Sequence, residues 1–171
     1  NGLFNNLVLA VGGKDLYLQF YKDKSADAVS SPEAAKIFAA LADARAMTKG
    51  ANVQDWNQAT NMVITGKAAA QSMGDWAQGE FQVANQVAGT DYTCLPGLGG
   101  KEYITTGGDA FYFPKLKDPE KTKAQLELAA LLVSKEVQVA FNLKKGSLPI
   151  RGDVDLSAAN DCMKKGLGIL A

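Results

Sequence analysis

Asp75 and Trp76 are neighbours in the stretch Ala68–Phe81, AAAQSMGDWAQGEF, where a charged acceptor stands beside a large flat indole. A polar ligand with one apolar face suits such a pair, because the ring takes the apolar side and the carboxylate the hydroxyl or amine. Ala68–Met73 is a short run of small and apolar residues that predicts a buried strand, ended by Gly74-Asp75-Trp76 before a polar helical pattern. Asp75 occupies an N-cap position and Gln78, three residues on, is its partner in a capping box. The plain alternative is that Trp76 is core and Asp75 no more than a cap. Both readings stand at this level.

The residues that are missing narrow the chemistry. There is no His in the 171 residues. Its absence removes the commonest general base, the Ser–His and Cys–His nucleophile pairs and most zinc sites. Asp75 and Asp109 are the one carboxylate pair that glycoside hydrolysis could use, at separations of about 5–10 Å. No other catalytic motif accompanies them, and the expectation is a protein that is not an enzyme. Lys+Arg and Asp+Glu number 18 each, so the basic excess of a nucleic-acid binder is lacking. No apolar run approaches membrane-spanning length. The chain opens on Asn1-Gly2-Leu3-Phe4 without Met, which is the expectation for a mature or truncated product with no visible signal peptide. Cys94 and Cys162 lie far apart and form no CxxC. They are either one long-range disulfide, implying an oxidising compartment, or two buried thiols.

Helical patterns must position these groups. LFNNLVLAV, residues 3–11, runs to a stop at Gly12-Gly13, and Asp15–Tyr21 is a second helical segment. Ser30-Ser31-Pro32-Glu33 announces a helix, capped by Ser30 with Glu33 or by Ser31 with Pro32 in its first turn, with Ala34, Ile37, Phe38 and Leu41 on one face. Asp55-Trp56 opens another helix, and Trp56 reads as core or surface packing. Tyr92–Leu95 predicts a short strand, and Tyr103–Pro114 a β-rich one broken at Gly107-Gly108-Asp109 by a reversal or a close backbone approach. Pro96–Gly100 is glycine-rich but has neither G-K-[ST] nor G-x-G-x-x-G, so it is a turn rather than a phosphate loop. Asp118-Pro119-Glu120 starts a long helix with Leu126, Ala129, Ala130 and Val133 toward a core. Glu136–Lys145 follows, using Val137, Ala140 and Phe141, and stops at Gly146; Ser157 caps a final helix carrying Cys162. Arg151-Gly152-Asp153 matches the integrin tripeptide by coincidence.

The order NMVITGKAAAQSMGDWAQGEF, TCLPG, GGDAFYFPK, a helix pair and AFNLKKGSLPIR resembles the extracytoplasmic sugar-binding proteins of bacterial ABC importers, the glucose/mannose type above all. The resemblance covers essentially the whole chain, and its most specific part is GKAAAQSMGDWA with FNLKKGSLPIR at this separation. It implies an α/β, periplasmic-binding-protein-like (type II) lobe, helix-rich with a small mixed sheet. Residues 1–171 would be one domain, the C-terminal part of a two-lobed protein, with 109–146 belonging partly to the missing N-terminal lobe. Without that lobe the apolar faces of those helices would be exposed. The implied function is periplasmic, non-enzymatic binding of a monosaccharide, glucose or a related hexose, for delivery to a membrane permease. No cofactor or metal is implied. Trp76 would stack on the sugar, Asp75 would accept from hydroxyls or hold the turn, and Asp109 would face the ligand. Lys145, with Lys144 as the register alternative, would donate to ring hydroxyls, unless it is a solvated lysine at a helix C-terminus. Cysteines in related sequences near the same places support a Cys94–Cys162 disulfide. The remaining alternative is an interaction module whose former cleft face buries against another chain.

Overall fold

The computed structural model describes residues 2–100 and 103–170. Eight α-helices carry the described residues: α1 Gly2–Tyr21, α2 Ala26–Val29, α3 Pro32–Met47, α4 Trp56–Ile64, α5 Gln78–Val83, α6 Pro119–Leu132, α7 Lys135–Lys145 and α8 Asp161–Leu170. Gly12-Gly13 is a kink rather than a stop. Gly13 takes φ 76° and ψ 177°, which a residue with a Cβ rarely adopts, and helix resumes after it. The two arms of α1 close on α3 around Leu7, Val8, Leu16, Ala28 and Ile37, with Phe4 stacked on Phe38 at 5.6 Å between centroids. Of the two caps offered for α3, Ser31 is the one used: its Oγ accepts from Ala34 N at 3.1 Å and Pro32 enters the first turn.

A second group packs α5 against α4 and α7. Asp55 caps α4, Asp118 caps α6 with Pro119 in its first turn, and Ser134 caps α7, each accepting backbone N–H bonds. Gly146 ends α7 at φ 81°, as its sequence position predicts. The cap of α8 is not Ser157. Asn160 Oδ1 accepts from Met163 N at 2.9 Å, while Ser157 N donates to Asp155 in a preceding turn. Cys94 and Cys162 form a disulfide with a Cα–Cα distance of 5.3 Å, joining the 92–95 segment to α8.

Further expectations fail for identifiable reasons. The small mixed sheet is not seen: among the described residues one isolated parallel bridge, Ala88 to Tyr92, is the whole of the β pairing. A strand is completed by a partner, and neither Ala68–Met73 nor Tyr103–Pro114 has one here. Ala68–Met73 is also not buried; Gln71 binds it instead to α4, donating to Trp56 O at 2.8 Å and accepting from the buried Thr60 hydroxyl at 2.7 Å. The helical face of α6 does not enter a core. Leu126 is 68% exposed, and no α6 residue is buried. In α7, Ala140 and Phe141 are exposed and the buried residue is Asn142. Arg151 and Asp153 bind each other through two hydrogen bonds of 2.7 Å. Those bonds, with one from Lys135, hold the Asp153 carboxyl well below the usual carboxylate range.

The disulfide spans 68 residues, so in the chain-entropy picture its loss destabilises by about 4 kcal/mol. Urea unfolding of the oxidised chain against the Cys94→Ser/Cys162→Ser pair should show a large drop in midpoint. Equal midpoints would show that the crosslink leaves the unfolded ensemble unrestrained.

Candidate functional site

The site forms where the turn before α5 meets the end of α7. Asp75–Ala77 is a single 3-10 turn, closed by Ala77 N donating to Gly74 O at 3.1 Å. Gly74 lies directly under the Trp76 ring: a Cβ there would stand 2.1–2.5 Å from three indole carbons. The indole can fold back over the backbone because residue 74 has no side chain. The capping box expected here is not formed. Gly74 takes the cap position and makes no side-chain bond, Asp75 lies inside the turn, and Gln78 is buried and points elsewhere.

Asp75 Oδ1 accepts from Ser147 Oγ at 2.9 Å. Gln78 Nε2 donates to Gly146 O at 2.6 Å, and Gln78 Oε1 accepts from Asn160 Nδ2 at 2.9 Å and Tyr92 OH at 3.3 Å. Burial raises the Tyr92 hydroxyl above its ordinary pKa. Two bonds thus run from the 75–78 turn to the 146–147 turn. Immediately before Gly146 stands Lys145.

Trp56, Trp76, Asp109 and Lys145 line one open pocket of about 330 Å³. Small-molecule sites occupy about 300–1,000 Å³. Lys145 Nζ donates to Asp109 Oδ2 and lies 5.5 Å from the Phe141 ring centroid. Its side chain is 27% exposed, against 77% for Asp109. So Lys145 is held rather than freely solvated at its helix end, while Lys144 does not line the pocket. Trp76 and Trp56 remain 45% and 36% exposed, which leaves apolar ring surface open to a ligand.

The pocket brings together three of the four residues expected from the sequence. Asp75 is outside its lining, its carboxylate turned to Ser147. Asp109 is therefore the lone carboxylate lining it among the described residues, and the Asp75–Asp109 hydrolytic pair does not face one cavity. Trp56, read from the sequence as core or surface packing, is a fourth residue in the lining that the sequence reading did not place there. Its sequence neighbour Asp55 is used as the cap of α4, and its pocket companions come from the turn before α5, from α7 and from the 103–114 segment.

Aromatic plates beside a carboxylate and an ammonium bind a molecule with apolar faces and a rim of hydroxyls. Residues 8–165 match the family described as bacterial extracellular solute-binding protein, and the chain belongs to that family. Its members bind solutes outside the cytoplasm and are not enzymes. A probable sugar-binding periplasmic protein of Rhizobium meliloti (strain 1021) is 37% identical over 170 residues, 99% of this chain and 41% of that protein. One of the same description from Mesorhizobium japonicum is 38% identical over 171 residues, covering 98% and 40%. A xylose/arabinose-binding protein of Haloferax volcanii is 26% identical over 170 residues, covering 93% and 34%. The chain spans about 40% of the length of the bacterial relatives it matches.

A methyl group at position 74 would collide with the indole. Gly74→Ala should therefore shift the emission maximum of Trp76, read in a Trp56→Phe background, with the unfolding midpoint little changed. An unaltered spectrum would show that the ring does not lie over Gly74.

Proposed function

We propose that this chain binds a monosaccharide, glucose or a related hexose, and that the whole protein delivers it to the membrane permease of an ABC importer. The observation that carries the reading is the grouping of Trp56 and Trp76 with the Lys145–Asp109 pair around one pocket. A pyranose presents C–H faces to indoles and hydroxyls to a donor and an acceptor, and this set supplies all three. The sugar-binding description of the bacterial relatives agrees with it. The pentose-binding relative makes xylose and arabinose the comparison sugars.

In this proposal an N-terminal lobe supplies the opposite wall of the pocket, and 109–146 pack partly against it. The exposure of Leu126, Leu131 and Phe141 supports that arrangement. The same exposure favours a second reading, an interaction module that buries this face on another chain. Size-exclusion chromatography separates the two, since a concentration-independent monomer argues against the module.

Titration of the chain with glucose, followed by tryptophan fluorescence, should give a saturable change with Kd of about 1 mM, or roughly −4 kcal/mol. Trp76→Phe should abolish the change and Trp56→Phe should reduce it. A response to xylose or arabinose but not to glucose would overturn the hexose assignment.

A further inference from the structure

We infer that Gln78 is a positioning residue for the binding pocket, setting the placement of Lys145 relative to Trp76; the inference rests on the sugar-binding reading. Gln78 lies two residues from Trp76 and is 4% exposed. Its amide donates to the carbonyl of Gly146, one residue past Lys145. Gly146 is in the left-handed region, and a Cβ on it would stand 2.4 Å from Gln78 Cβ, so the two residues are packed as well as bonded. The amide oxygen of Gln78 is held in turn by Asn160 and Tyr92. Asn160 caps α8, whose Cys162 is crosslinked to Cys94. The amide therefore cannot swing without giving up partners at the cap of α8 and at Tyr92 as well as at the α7 terminus. Gln82, one turn along α5, makes a bond of the same kind to Leu143 O at 3.1 Å, farther from the pocket.

That second glutamine is the control. Gln78→Leu and Gln82→Leu each remove one side-chain bond from α5 to the backbone at the α7 end. Gln78→Leu also frees Asn160 and Tyr92, so its larger loss of stability is expected and the deciding readouts are binding and the Lys145 signal. The full chain would be compared by urea unfolding, by glucose titration and by the ¹⁵Nζ ammonium signal of Lys145, which an ion pair protects from solvent exchange. Gln78→Leu should weaken glucose binding about tenfold or more and lose the protected Lys145 signal, because small displacements of positioned groups are costly. Gln82→Leu should keep both. Equal losses in the two variants, or a Gln78→Leu chain with binding and Lys145 signal intact, would overturn the inference. If the unmodified chain shows no glucose response, the hexose assignment falls and the Lys145 signal alone decides the positioning role. Should Gln78→Leu not fold, Ser147→Ala breaks the other bond between the two turns, and retention of the Lys145 signal there would count against the clasp.

Discussion

The amide of Gln78 is the contact on which the rest of the site depends. A primary amide buried without partners costs about 1–3 kcal/mol, whereas here the donor and the acceptor are both engaged. Its donor fixes the C-terminus of α7, and its acceptor gathers Asn160 and the Tyr92 hydroxyl. Tyr92 stacks on Phe81 of α5 at 4.1 Å between centroids, which anchors that hydroxyl from behind. Three helices and one loop thus meet at a single side chain. Since Trp76 lies within the first of the two turns that this side chain joins, and Lys145 immediately before the second, the chemistry of the pocket inherits their spacing.

The pocket itself is made of groups that the fold leaves partly unsatisfied. Two indoles keep open ring surface, and the Lys145–Asp109 pair joins a half-shielded ammonium to a well-exposed carboxylate. A pair with one exposed partner is weak, typically about 0–1 kcal/mol, so hydroxyls can displace it at little cost. The α1–α3 group shows the opposite economy. Val8 and Ile37 are fully buried there and the aromatic side chains close on one another. One part of the molecule is a packed core and the other leaves side chains open around a pocket.

What was legible in the sequence was chiefly local. Asp55, Ser31, Asp118 and Gly146 mark helix ends because capping is decided within three or four residues. Asp75 carries the same signal and is not a cap, because Ser147, 72 residues away, takes its carboxylate. Gln78 was misread for the same reason: its partners are 68 and 82 residues distant. Trp56 is preceded by Asp55, which serves the helix start, and its place in the pocket lining becomes visible once Lys145 and Asp109 are set beside it. The strands expected at Ala68–Met73 and Tyr103–Pro114 have apolar composition without a pairing partner, and composition cannot supply one. The apolar residues of α6 fall on every side of its last two turns, so the sequence announces a helix there without saying which face is covered.

A double-mutant cycle between Gln78 and Lys145 on glucose affinity tests the central claim most directly, through Gln78→Leu, Lys145→Met and the two combined. If Gln78 acts by holding Lys145 in place, the losses will be non-additive by about 1 kcal/mol or more, because the second change removes a group already displaced. Additive losses would contradict the account, since they would mean that Gln78 and Lys145 serve binding independently.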